Sequence, residues 1–179
     1  RKTMSWSSAA DRQSGIIAMD NSTQFKPALF RPRARRLRTS ARNMLPGVVT
    51  SIVHGPVSAE VGLLVGDRLV IDTVVTNRSV DRLGLHPGGA AVALIKSTFV
   101  TLVRDLPGLR LSARNQIGGR VIQMIEGPVE AEVVLDIGGG AQLAALVTTH
   151  SVRDLDLHIG ATVLACFKAS HIILAVEEE

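Results

Sequence analysis

The sequence predicts a mainly β protein: two tandem copies of one small unit, each of five strands and one short helix, behind a poorly structured or partly helical basic segment. Three observations predict it. Ser40-Ala41-Arg42-Asn43 returns as Ser112-Ala113-Arg114-Asn115, and residues 39–105 slide onto 111–177 without a gap, about 25 of 67 pairs being identical at a period of 72. Within each copy, β-branched and aliphatic runs are cut by Gly and Pro at hairpin spacing. Charge divides the chain at the same place: residues 1–38 carry nine Lys/Arg against two Asp, and residues 39–179 carry eleven against fourteen Asp/Glu. The pI near 10 therefore describes the leader, and an anion bound by the mildly acidic repeats needs a local site rather than a broad basic surface.

The expected domains are a basic segment at 1–38, a first unit at 39–105 and a second at 110–177, with Leu106-Pro107-Gly108-Leu109 as the linker. A unit of under seventy residues buries only a marginal core, so the copies are expected to pack together or to pair with another chain. With 46% hydrophobic and 3% aromatic residues, Val, Leu, Ile and Ala must build the interior. No apolar run reaches membrane-spanning length and no signal peptide is evident. The single cysteine, Cys166, rules out an intrachain disulfide and suits a reducing cytoplasm. Set in Val163-Leu164-Ala165-Cys166-Phe167, it reads as a small buried hydrophobe rather than a nucleophile.

In the leader, a helix is expected from about Ser8 to Asp20, weakened by Gly15. Residues 31–38, Arg-Pro-Arg-Ala-Arg-Arg-Leu-Arg, read as a solvated basic connector able to touch nucleic acid phosphates. The first strand of the first unit is Val48–Val53, ending at Gly55-Pro56, and Ala59–Leu63 returns as its hairpin partner. Asp67-Arg68 separates this from Leu69–Val75. The second unit has Gly138-Gly139-Gly140 there, a tight turn rather than a phosphate cradle, since no Gly-Lys-Ser/Thr follows. A short helix is expected from Ser79 to about Leu85 and from Ser151 to about Leu157, with the serine as N-cap and Gly88 or Gly160 beyond the end. A closing strand pair completes each unit: Ala91–Ile95 into Phe99–Val103, and Val163–Phe167 into Ile172–Val176. Five strands with a helix before the last pair give a small, partly closed antiparallel barrel of the oligomer-binding (OB) type.

Five polar positions recur in register, at strand ends rather than strand interiors: Ser40/Ser112, Arg42/Arg114, Thr76/Thr148, Ser79/Ser151 and Lys96/Lys168. Two positive charges, several hydroxyls and free amides at a helix entry match a small tetrahedral oxyanion, which offers acceptors only and carries charge to be balanced. Taken singly, each serine caps a helix and each cation pairs with a carboxylate. Their joint recurrence points to a site.

Ser-Ala-Arg-Asn, Gly-Pro-Val-x-Ala-Glu-Val, Val-Thr-x-x-Ser-Val-x-x-Leu-x-Leu and the lysine followed by Ser or Ala together resemble the Mop (TOBE) module of molbindins and of ModE-type molybdate-responsive regulators. The resemblance covers residues 39–177. It implies paired OB-type barrels that assemble between chains, as a homodimer or higher homo-oligomer, and bind molybdate or tungstate at the interfaces, with no organic cofactor. It also implies the contacts: Ser40, Arg42, Thr76, Ser79, Val80 through its amide, Lys96 and Ser97 in the first copy. In the second copy they are Ser112, Arg114, Thr148, Ser151, Val152, Lys168 and Ala169. Ser97 stands where the family commonly has Ala. Met4-Ser5-Trp6 and Ile17 through Pro27 resemble the end of the winged helix-turn-helix that precedes the modules in the regulators, although its wing and long dimerising helices have no counterpart before Arg31.

The leading expectation is thus an intracellular oxyanion-binding protein for molybdenum sensing, homeostasis or storage. The alternative is a molybdenum-dependent transcriptional regulator whose DNA-binding part is incomplete here, leaving weak, nonspecific contact with DNA through residues 1–38. An enzyme is not expected, because the five histidines show no metal spacing and no nucleophile–base pair surrounds a recurring residue. Oligonucleotide binding by the barrels is disfavoured too: four Phe and no Tyr give little for bases to stack on.

Overall fold

The first strand, β1 (Asn43–His54), starts five residues earlier than its β-branched run suggests, because Asn43, Leu45, Gly47 and Val49 alternate inward. The computed structural model describes residues 37–104, 108 and 110–177. The leader helix, the winged-helix resemblance, most of the basic connector and most of the linker lie outside these residues.

The first copy continues with β2 (Ser58–Val65), β3 (Leu69–Thr76), α1 (Asn77–Arg82), β4 (Ala90–Ile95) and β5 (Thr101–Val103). The second repeats this as β6 (Asn115–Glu126), β7 (Glu130–Asp136), β8 (Gln142–Thr148), α2 (Thr149–Asp154), β9 (Thr162–Phe167) and β10 (Ile173–Ala175). Gly47 is required where β1 crosses β2, because a Cβ there would stand 2.4 Å from the carbonyl oxygen of Leu64. The triple glycine is the β7–β8 hairpin turn, with φ of 86, 60 and 77°, values that L side chains rarely adopt.

The closing strands depart from the expected arrangement. They do not pair within their own copies: the sheet orders are β10-β4-β1-β2-β3 and β5-β9-β6-β7-β8, two antiparallel five-stranded sheets that trade their last strands. Leu174 pairs with Ala93, and Leu102 with Ala165. The cause is local. Between β4 and β5 the chain makes a 3-10 turn, Ser97–Phe99, and the corresponding turn after β9 is Ala169–His171. Each turn carries the chain over to the other copy, where it packs against β8 or β3 respectively. β10 also touches β3, and β5 touches β8, so each sheet curls into a partly closed barrel.

The core is one aliphatic cluster shared by both copies, including Val61, Leu63, Ile71, Val133, Leu135 and Leu143. Mutual packing thus relieves the limit that size sets on each copy alone. Cys166 is buried, and burial raises its thiol pKa, as expected of a structural cysteine. No helix among the described residues is long and apolar enough to cross a membrane. Thr73 is fully buried, and its hydroxyl has no hydrogen-bond partner among the described residues. The second copy has Ala145 there. A buried unpaired hydroxyl costs about 1–3 kcal/mol, so the isosteric Thr73→Val should raise the urea midpoint by about 1 kcal/mol in stability without changing the m-value. A lowered midpoint would mean that the hydroxyl has a partner.

Candidate functional site

Both helix entries are built the same way, and the capping residue is the threonine rather than the expected serine. Thr76 is the N-cap of α1: its Oγ1 accepts from the Ser79 amide at 3.1 Å and lies 2.8 Å from the Ser79 hydroxyl. Thr148 and Ser151 repeat the same distances at α2. An N-cap side chain reaches the amide three residues on, so the Thr-x-x-Ser spacing makes the serine the capped residue. Val80 and Val152 bury their side chains below these hydroxyls. The helices end at left-handed residues earlier than expected, Gly84 (φ 58°) and Asp156 (φ 48°). Gly88 and Gly160 serve the sheets instead, their amides bonding the carbonyls of Val49 and Val121 beside a bulge in β1 and in β6. His86 and His158 do not cap the helices. Each Nδ1 lies 3.1 Å from the carbonyl oxygen of the next residue.

The Ser-Ala-Arg-Asn stretches cross between copies. The Arg42 guanidinium donates through Nε and Nη2 to both carboxylate oxygens of Glu132, at 2.9 and 2.7 Å. That bond holds the Glu132 carboxyl below its ordinary pKa and the guanidinium above its own. Arg114 reaches two carboxylates, donating from Nη2 to Glu60 at 2.9 Å and forming an ion pair through Nε with Asp72 at 2.8 Å. Asp72, then Glu60, raises its pKa. The neighbouring asparagines are buried and act as short strands. Asn43 donates to the Ala144 carbonyl and accepts from its amide, at 2.9 and 2.7 Å. Asn115 does the same at Asp72, at 2.8 and 2.9 Å. These asparagines, outside the candidate set, explain why the motif ends in Asn: each seals an edge strand of the other copy.

The lysines are arranged differently. Lys96 and Lys168 are exposed, each at the start of a 3-10 turn, and among the described residues neither makes an ion pair. Lys168 and Ser112 line one open cavity of about 260 Å3 together with Phe99, Thr101, Phe167 and His171. The Phe99 and His171 rings lie 4.7 Å apart at its wall. Ser97 and Ala169 begin the two turns. Ser40 is exposed two residues before Arg42.

The structure therefore brings Thr76 together with Ser79, Thr148 with Ser151, and Ser112 with Lys168. Among the described residues no hydrogen bond or ion pair joins a helix-entry hydroxyl to a candidate arginine or lysine. Thr76 lies four residues along β3 from Asp72, the residue that Arg114 holds, which is about 13 Å of extended chain. No group of three or more His, Cys, Asp or Glu among the described residues is placed to hold a metal ion.

The TOBE domain family model matches residues 39–102 and 111–174. The molybdenum-pterin-binding protein MopB of Rhodobacter capsulatus is 42% identical over 144 residues, covering 80% of this chain and 53% of MopB. The molybdenum transport protein ModE of Herbaspirillum seropedicae is 40% identical over 147 residues, covering 82% and 55%. The chain thus spans about half the length of the curated relatives it matches. Among solved structures, the cytoplasmic molybdate-binding protein ModG with molybdate bound is similar at a TM-score of 0.76 and 41% identity, over 78% of this chain and 99% of that one.

Proposed function

Because the chain belongs to the TOBE domain family, we propose that it binds molybdate, or the closely similar tungstate, as a sensing, homeostasis or storage protein of the cytoplasm. The observation that carries this reading is the likeness to ModG, which extends over 99% of that molybdate-bound chain at 41% identity. The chemistry of the recurring residues supports it. A tetrahedral dianion accepts hydrogen bonds only, and the exposed lysines make no ion pair among the described residues, while the paired hydroxyls at each helix entry keep donor capacity beside the cap they form. The candidate contacts are Ser40, Arg42, Thr76, Ser79, Val80, Lys96 and Ser97, with Ser112, Arg114, Thr148, Ser151, Val152, Lys168 and Ala169 in the second copy.

A second chain completes the site in this reading, because among the described residues no hydrogen bond or ion pair joins the helix entries of one chain to its cationic groups. The hairpin tips offer an apolar surface for it. Val53 and Val57 of the first copy are 65% and 75% exposed, and Ile125 and Val129 of the second are 57% and 71% exposed. The similarity to proteins named ModE favours a second reading, a molybdenum-dependent regulator, in which residues 1–38 would touch DNA. Binding and regulation need no catalysis, and no enzymatic activity is proposed.

Native mass spectrometry with molybdate tests the binding and the assembly together. Oligomers holding a whole number of molybdate ions per chain are expected, and micromolar molybdate should displace millimolar sulfate. Sulfate is smaller, so its contacts in a cage sized for molybdate would be stretched. Equal occupancy by the two anions under those conditions would reduce the site to a generic anion patch.

A further inference from the structure

The two copies are close to symmetric in backbone and differ in charge at one point of contact. Asp72 of β3 occupies the position that Ala144 occupies in β8. Through the crossing between copies, that difference falls on Arg114. Arg42 faces a single carboxylate, Glu132, and the pair is neutral. Arg114 is held between two, Glu60 and Asp72, so its cluster carries one net negative charge. In both arginines Nη1 has no hydrogen-bond partner among the described residues and remains free for an anion.

We propose that Asp72 makes the two classes of anion site unequal, weakening the class that draws on Arg114 relative to the class that draws on Arg42. This rests on the binding reading above and deepens it. An oxyanion at the free edge of Arg114 feels the guanidinium and, one side chain behind it, an unbalanced carboxylate. An oxyanion at Arg42 meets a compensated pair. The arginine side chains are 55% and 60% exposed, so water and salt screen this difference without abolishing it. The chain thereby gains a graded response, filling one class at lower molybdate than the other. The difference between Ser97 and Ala169 acts in the same sense, since Ser97 adds a hydroxyl beside Lys96, and for that reason the test changes Asp72 alone.

Asp72→Asn removes the charge and keeps an oxygen able to accept from Arg114. Asn115 grips the backbone of residue 72 rather than its carboxylate, so the contact between copies is retained. Calorimetric titration with molybdate should resolve two classes in the unaltered chain. In Asp72→Asn the weaker class should tighten by about fivefold to tenfold at low salt and by less at physiological salt, as expected for a screened charge, while the tighter class is unchanged. The reciprocal Ala144→Asp should weaken the tighter class. A purely structural role for Asp72 predicts the opposite result, a loss of affinity together with a lower melting temperature. One class of equal sites in the unaltered chain, or an unchanged or weakened class in Asp72→Asn, overturns this inference alone. No binding of molybdate by the unaltered chain overturns the binding reading, and this inference with it.

Discussion

Lys168→Ala should weaken molybdate binding at the site that uses it by about tenfold to a hundredfold, the equivalent of a charge-assisted hydrogen bond of about 1.5–3 kcal/mol. The lysine is the cleanest candidate to test because the fold does not depend on its charge. Lys168 is exposed, forms no ion pair among the described residues, and shares its cavity with Ser112. Arg42 is a poorer choice. Its removal would leave Glu132 without its bidentate partner, and lost affinity could not be separated from a loosened contact between copies. For Lys168→Ala the melting temperature should therefore stay within a degree or two, since surface changes of this kind cost less than about 0.5 kcal/mol. Lys96→Ala should act in the same way on the other class of site, and the double variant should lose both. Unchanged affinity and stoichiometry in Lys168→Ala would remove that lysine from the site.

Local features were legible in the sequence, and relations between copies were not. The 72-residue period, the ten strands, the Gly138-Gly139-Gly140 turn and the buried Cys166 follow from patterns a few residues long. Pattern alone places the cap three residues too late, because Thr76 and Ser79 are both capable N-caps and only backbone geometry shows which one accepts. The strand exchange was hidden for a different reason. Leu102 pairs with Ala165 of the other copy, and the equivalent partner within its own copy is Ala93, the same residue type. Duplication makes own and exchanged pairing identical at the level of side chains, so pattern cannot choose between them. The bridges between copies left more of a trace. Arg42/Arg114 and Glu60/Glu132 both recur, and a recurring pair of opposite charges is what a reciprocal contact across a pseudo-twofold axis leaves behind. Asp72, present in one copy only, left no such trace.

Exchange has a consequence for stability that a tandem arrangement would not share. Leu174 belongs to the second copy by sequence, yet it is 5% exposed within the shared core and pairs with Ala93 of the first. Leu174→Ala should destabilise the protein by about 2–5 kcal/mol, the range for a buried leucine whose cavity closes only partly. The loosening should fall on β4, the strand that β10 covers. Faster amide exchange is expected at Ala91–Ile95, with β9 protected as before, because local opening follows the contacts that are lost. The reciprocal Leu102→Ala should spare β4 and loosen β9. β4 leads directly into Lys96, and β9 into Lys168. The substitution six residues after Lys168 is thus expected to disturb the lysine turn of the first copy rather than its own. Faster exchange confined to β9 in Leu174→Ala would mean that the last strand stays with its own repeat in solution, and the exchanged pairing would then be wrong.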